Sequence, residues 1–301
     1  MLFVVLCMTS PLFASFSSKD KGTTTAGFLK LGVGGRAVAM GEAYSAVADD
    51  ASALYWNTGA LNHISSKTAT FMHALYIESS YFDYLAYAQP INDVSAFGIG
   101  LQHLSAGSIT KTDETGSNTG TFAPTDMAIT LGYARMLRDF SIGIGAKFIQ
   151  SKIIDSASAF AGDLGIMAPP LMDDKLKFAF TATNIGSKMK FDVDEEDLPM
   201  AMRLGSSYRI KDEWISSLDI AFPKDNAAYF AFGTEYLFPV NDTWKMAART
   251  GLNTRTMSDV DGFSGISFGL GFIYQKLLMD YAFFPLGDIG TTHRISFSLR
   301  F

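Results

Sequence analysis

From residue 66 onward the chain alternates apolar residues with small or polar ones, and this period of two is the repeat of a β-strand. In 140–148 one face carries Phe140, Ile142, Ile144, Ala146 and Phe148, and the other Ser141, Gly143, Gly145 and Lys147. In 265–274 the face of Ile266, Phe268, Leu270, Phe272 and Tyr274 opposes Gly265, Ser267, Gly269, Gly271 and Ile273. In 294–301, Ile295, Phe297, Leu299 and Phe301 oppose Arg294, Ser296, Ser298 and Arg300. A soluble sandwich alternates too, so alternation alone does not decide, and the composition of the second face helps. Solvated sheet faces are covered by Lys, Glu and Thr. A face of Gly and Ser suits the filled, curved interior of a barrel.

Composition points the same way. Hydrophobic residues make up 48% of the chain and charged ones 18%. Past residue 20 no apolar run reaches the roughly 18 residues that a transmembrane helix needs. The apolar residues must therefore meet lipid along strands, as in an all-β, transmembrane antiparallel β-barrel. Strands are expected at 66–77, 80–90, 94–104, 124–137, 140–153, 160–169, 175–185, 199–210, 213–222, 227–238, 243–254, 263–274, 276–284 and 293–301. That is about fourteen, an even number as bacterial single-chain barrels require.

Connection lengths also alternate. Short turns at 91–93, 138–139, 173–174, 211–212, 239–242 and Gln275 separate longer loops at 105–123, 154–159, 186–198, 223–226, 255–262 and 285–292. Outer-membrane barrels have short periplasmic turns and longer outer loops, so both barrel ends and residues 18–65 are expected on the periplasmic side. Aromatic residues expected at the strand ends (Tyr81, Phe82, Tyr84, Trp214, Phe222, Tyr236, Phe238, Trp244, Tyr274, Phe283, Phe284) suit interfacial girdles. Phe301 lies on the apolar register of the last strand, so the sequence predicts a strand paired along both edges to its end. Ile295, Phe297, Leu299 and Phe301 are the expected closure and assembly signal, read by the barrel assembly machinery.

Residues 1–17 read as a secretory signal peptide, with an apolar stretch from Leu2 to Met8 and small residues near Ala14 to Ser17. The sole cysteine, Cys7, lies in it, so neither a disulfide framework nor a cysteine metal site is expected. The net charge of −6, with no basic block, argues against nucleic acid. His63, His73, His103 and His293 show no metal-ligand spacing and are expected at the lumen or the interface. The acidic run 192–197 reads as a solvated outer loop, with cation bridging to lipopolysaccharide as the sharper alternative. No nucleophile–base arrangement or carboxylate pair has recognisable spacing, so the chain is not read as an enzyme. No cofactor is implied.

Residues 18–65 differ in texture, being rich in Gly, Ala and Thr, with helix-like stretches at Gly35–Val47 and Ser52–Leu61. Gly32-Val33-Gly34-Gly35-Arg36-Ala37 matches a dinucleotide-binding pattern but has no βαβ context, and reads better as a glycine turn entering a helix. Arg36 with Asp49 and Asp50 is a candidate set of buried ion pairs fixing this segment in the lumen.

The run from Thr23 to Tyr44 (TTTAGFLKLGVGGRAVAMGEAY), and more closely Ala48 to Asn57 (ADDASALYWN), resembles the PorV/PorQ family. That family is similar in turn to the FadL long-chain fatty-acid transporters. The resemblance implies a fourteen-stranded bacterial outer-membrane barrel (66–301) with an N-terminal, partly helical plug or hatch (18–65). The plug motif would comprise Gly32, Gly34, Gly35, Arg36, Asp49, Asp50, Asn57, Thr58 and Gly59. Where the family has Asn-Pro-Ala-Gly-Leu, this chain has Asn57-Thr58-Gly59-Ala60-Leu61, so Thr58 replaces the proline. The expected function is FadL-like transport of a hydrophobic small molecule such as a long-chain fatty acid. The alternative is a PorV-like role in type IX protein secretion. Expected partners are outer-membrane lipid and lipopolysaccharide, a hydrophobic ligand, the assembly machinery and secretion partners.

Overall fold

The computed structural model describes residues 18–77, 79–191, 194–255, 257 and 262–301. The expected signal peptide, with Cys7, lies outside the described residues, as do Asp192 and Val193 of the acidic run.

Eighteen strands are present among the described residues, fourteen of them in one closed antiparallel barrel. The barrel strands are β1 (Thr68–Leu75), β2 (Tyr81–Asn92), β3 (Ser95–Ser105), β6 (Thr125–Leu137), β7 (Phe140–Lys152), β8 (Ser156–Met167) and β9 (Leu176–Gly186), followed by β12 (Ala201–Lys211), β13 (Trp214–Pro223), β14 (Tyr229–Pro239), β15 (Trp244–Asn253), β16 (Ile266–Tyr274), β17 (Leu277–Pro285) and β18 (Thr291–Arg300). Each pairs with its sequence neighbour in the barrel. β18 closes the ring on β1, from Thr68 opposite Arg300 to Leu75 opposite His293. The Phe301 amide extends this pairing to the Lys67 carbonyl at 2.9 Å. Closure leaves no sheet edge, the condition lipid sets for strands that cross it.

Side-chain parity follows the alternation. On β7, Ile144 is 60% exposed while Ser141 is 1% exposed. Ile295, Phe297, Leu299 and Phe301 all point outward. The girdle expectation holds only in part, because parity decides it. Trp214, Tyr236, Phe238, Trp244 and Tyr274 do form an outward belt at the short-turn rim, with ring centroids 4.2–6.3 Å apart. Phe82, Tyr84 and Phe284 fall on the even, inward register and are buried in the lumen.

Two small elements inside the outer loops carry no period the sequence reading detected. β4 (Ile109–Thr112) and β5 (Asn118–Phe122) form an exposed hairpin turned by Asp113, whose carboxylate accepts from the Thr115 and Ser117 amides. β10 (Met189–Lys190) pairs with β11 (Glu195–Glu196).

Residues 26–64 fill the barrel with short pieces: a 3₁₀ turn at Gly27–Lys30, α1 (Gly35–Ala39), α2 (Ala53–Trp56) and a 3₁₀ turn at Thr58–His63. The helix expected over Gly35–Val47 stops after five residues. Gly41 and Glu42 both have positive φ, 65° and 67°, which ends a right-handed helix. One placement also differs from expectation. Residues 20–31 lie at the long-loop rim, where Thr24 bridges Asp197 and the Thr25 amide donates to the Asp197 carbonyl at 3.0 Å. The segment enters at that rim, descends the lumen, and leaves at the short-turn rim to begin β1.

Candidate functional site in the barrel lumen

The Gly and Ser wall faces serve contact with another stretch of backbone. Gly35 N–H donates to Ser296 Oγ at 2.9 Å, and Gly41 N–H to Ser267 Oγ at 3.1 Å. Ser217, Ser207 and Ser141 donate to the carbonyls of Ala43, Ala46 and Gly59 at 2.6, 3.1 and 2.7 Å. A short irregular segment cannot satisfy its own backbone groups, so wall hydroxyls do it. The glycines set the distance. A Cβ at Gly143 would fall on the Thr58 carbonyl group, and one at Gly41 would lie 2.7 Å from the Leu252 nitrogen.

The predicted motif residues sit in this contact layer. Gly34, with φ 82°, precedes α1, and its amide points at the Met72 sulfur. The Gly32 carbonyl accepts from Arg294. Asn57 fixes the next turn: its Oδ1 accepts from the Gly59 amide at 2.9 Å, and its Nδ2 donates to the carbonyls of Ser45 and Ile166. Asn57 is extended (φ −165°), and the 3₁₀ turn starts at Thr58 without a proline.

Arg36 forms the centre of a charge ladder. Its Nη1 lies 2.7 Å from Asp49, and its Nε and Nη2 hold Glu235 through two bonds of 2.7 Å. Glu235 also accepts from Arg249 Nε at 2.5 Å, and Arg249 Nη1 reaches Asp280 at 2.7 Å. Arg300 lies 3.6 Å from Asp49 at the short-turn end of the ladder. Burial opposes the charge on Arg36, but Asp49 and Glu235 outweigh it and hold the guanidinium firmly protonated. Asp50 is not part of the ladder. It turns back to cap Ser52, accepting from its amide at 2.8 Å and its hydroxyl at 2.5 Å. Burial, reinforced by neighbouring Asp49, raises the Asp50 carboxyl above the usual aspartate range. The sequence reading missed Glu235, Arg249 and Asp280. Each is a lone charge on a strand's inward register, and that parity was the available signal.

A second polar set holds residues 42–45. Asp219 accepts from the Tyr44 and Ser45 amides at 3.2 and 3.1 Å, and Arg203 donates to the Glu42 carbonyl at 2.7 Å. Together these contacts leave Val33, Val38, Ala39, Met40 and Ala43 with no exposed surface, so the lumen is blocked at mid-height.

A cavity of about 410 Å³ lies above the block, at the long-loop mouth. Tyr55, Trp56, Leu29 and Leu31 form its floor side, and Tyr229, Phe284, Arg203, Arg255 and Arg294 line its wall. Arg203 stands over the Trp56 ring at 5.3 Å and Arg255 over Tyr229 at 5.7 Å. The Glu42 carboxylate keeps Arg255 charged. Asp225 ties the mouth to the N-terminal segment, accepting from Thr24 Oγ1 and Lys30 Nζ at 2.6 Å each. A second cavity, of about 220 Å³, opens at the short-turn rim and is lined by Arg36, Asp49, His63, Lys175 and Arg209. No cluster of potential metal ligands occurs among the described residues. His73, His103 and His293 face outward near the long-loop rim, with His73 Nδ1 2.6 Å from Asp83. Glu195 and Glu196 are exposed, and Asp197 pairs with Lys224 at 2.6 Å.

The family model described as "Type IX secretion system protein PorV" matches residues 15–217. Among solved structures, a Pseudomonas aeruginosa FadL homologue superposes with a TM-score of 0.60 at 13% identity, covering 93% of this chain and 98% of that one. The Ralstonia pickettii toluene transporter TbuX gives 0.60 at 13% identity, covering 90% and 98%. The Pseudomonas putida toluene transporter TodX gives 0.59 at 11% identity, covering 89% and 96%. At these identities the likeness is one of fold. No curated protein sequence matches the chain.

Proposed function

The chain belongs to the PorV family of bacterial outer-membrane β-barrels, and from that premise we propose that it serves type IX protein secretion by engaging exported protein at its long-loop mouth. The observation that carries this reading is the blocked lumen beneath an open, charged and aromatic cavity. A barrel of fourteen strands has little free bore, and here the N-terminal segment occupies it through wall hydroxyls and a neutralising charge ladder. Such an object suits capture at one mouth better than passage. In this reading residues 18–65 are a plug fixed by Arg36, Asp49 and Asn57. Ile295, Phe297, Leu299 and Phe301 form the strand that the assembly machinery recognises.

A second reading is FadL-like uptake of a hydrophobic small molecule. It is favoured by the fold shared with toluene transporters and by the Trp56, Tyr55 and Phe284 lining. Uptake would require the ladder to open. Deletion of the gene in its own host separates the two. Secretion predicts that exported proteins accumulate in the periplasm, read by quantitative proteomics of periplasm and medium. An unchanged secretome with slowed uptake of fatty acids or monoaromatics would overturn the secretion reading in favour of transport.

A further inference from the structure

We propose that the lipid-facing wall of β13, β14 and β15 holds an acyl chain of a periplasmic-leaflet phospholipid, in a trough just above the short-turn aromatic belt. The inference goes beyond the secretion reading and stands without it.

The trough is a depression of about 340 Å³ lined by Trp214, Thr234, Tyr236, Ala248, Arg249 and Thr250. Strand register makes it continuous. Trp214 stands opposite Tyr236, and Tyr236 opposite Ala248. One step further from the short turns, Ser216 stands opposite Thr234, and Thr234 opposite Thr250. These residues take the outward register, because Ser217, Glu235 and Arg249 between them are buried toward the lumen. Bulky side chains ring the small ones. Leu218 and Phe232 stand above them, and Phe268 and Leu270 beside them on β16.

The polar groups of the trough are satisfied within the wall. Trp214 Nε1 donates to Thr234 Oγ1 at 2.8 Å, and the Ser216 and Thr234 hydroxyls lie 3.0 Å apart. Thr234 and Thr250 donate to the Ile215 and Ser267 carbonyls at 3.1 Å each. The surface left is methyl, methylene and ring. A polar ligand would be desolvated there without partners, whereas an alkyl chain has no polar group to desolvate. A flexible chain also gains dispersion contacts along the lining that a flat wall does not offer.

Depth names the lipid. Trp214, Tyr236, Trp244 and Tyr274 mark the membrane interface on the short-turn, periplasmic side. Lipopolysaccharide occupies the opposite leaflet, so the chains that begin at this level belong to phospholipid. The inner face of the same strands carries Glu235 and Arg249, so a chain in the trough backs the wall that holds the charge ladder.

The test uses the full-length protein in detergent with Trp244→Phe. Trp214 is then the tryptophan that faces lipid, since Trp56, the third in the chain, is buried inside the barrel. Phosphatidylethanolamine brominated at mid-chain, which quenches a ring it touches, is titrated in. Trp214 emission should fall to a plateau at one lipid per barrel. Ala248→Phe, which fills the trough, should weaken binding at least about tenfold, the scale of about two methylene groups withdrawn from contact. Ala146→Phe, outward on β7 and away from the trough, should leave it unchanged. Heat-modifiable gel migration reports whether each variant is folded; if Ala248→Phe is not, the plateau in the parent decides. Quenching that never saturates overturns the proposal, as does equal binding by Ala248→Phe. Displacement by lipopolysaccharide more readily than by unlabelled phosphatidylethanolamine also overturns it. Quenching lost as protein concentration rises, with a doubled mass, overturns it and assigns the trough to a second copy of the chain.

Discussion

Glu235 is the residue on which the lumen charges depend most. It accepts from two arginines, one on the N-terminal segment and one on β15, and only 3% of its side chain is exposed. Glu235→Gln keeps the shape but leaves two buried guanidinium groups short of a counter-charge. Breaking a buried pair from one side costs about 3–5 kcal/mol. Asp49 pairs with the same Arg36, yet its side chain is 44% exposed. Asp49→Asn should therefore cost no more than about 1 kcal/mol. Guanidinium unfolding of both variants in one detergent checks the contrast, and equal losses would mean that the ladder does not fix the segment. Asp225 gives a pH signature at the mouth. Burial raises its carboxyl, but Lys30 and Thr24 overcome this and hold it below the ordinary value of 3.8. A depressed carboxylate stabilises above its ordinary value and loses that contribution as pH falls through the folded one. A spin label on Thr23→Cys should stay immobile at neutral pH and loosen only below about pH 3.8. In an Asp225→Asn background it should be loose throughout, and a label insensitive to both changes would refute the tether.

At the scale of elements, the fourteen barrel strands were legible because each repeats a physical requirement, apolar toward lipid and small toward the lumen. β7 shows how directly: Phe140, Ile142 and Ile144 face out, while Ser141 and Gly143 meet the 3₁₀ turn at Thr58–His63. The segment inside the barrel was less legible because it is specified by wall contacts rather than by its own period. The expected helix over Gly35–Val47 failed at Gly41, whose backbone is left-handed and where a Cβ would meet the Leu252 and Phe232 backbone. Asp50 was expected to pair with Arg36, but the bidentate partner, Glu235, stands 199 positions away. The same parity gives a prediction for β7. Ile144, near mid-strand and 60% exposed, marks the lipid face. Ile144→Arg should lower barrel stability by about 2–4 kcal/mol, the cost of a cation near the bilayer midplane. Unfolding in lipid vesicles reads this, and a cost near zero would remove β7 from the membrane.

For the whole molecule the consequential feature is the direction in which the N-terminal segment threads. Connection lengths orient the barrel, with the short turns toward the periplasm. On that axis Lys30, Thr24 and their partner Asp225 lie at the outer mouth, although β1 begins at the opposite rim. A segment held this way forms one side of the outer cavity, so Leu29 and Leu31 belong to any site there as much as the strands do. A plug entering from the periplasm and returning to it would leave the outer mouth to the loops alone. The two arrangements separate by labelling. After the single Cys7 is removed by Cys7→Ser, the chain has no other cysteine, so an introduced one reports unambiguously. Thr23→Cys, exposed at the long-loop rim, should react with a membrane-impermeant maleimide on intact cells. Asp212→Cys, exposed in the turn between β12 and β13, should react only after the outer membrane is permeabilised. The reverse pattern would invert the barrel, and protection of both sites until permeabilisation would place the N-terminal segment wholly on the periplasmic side.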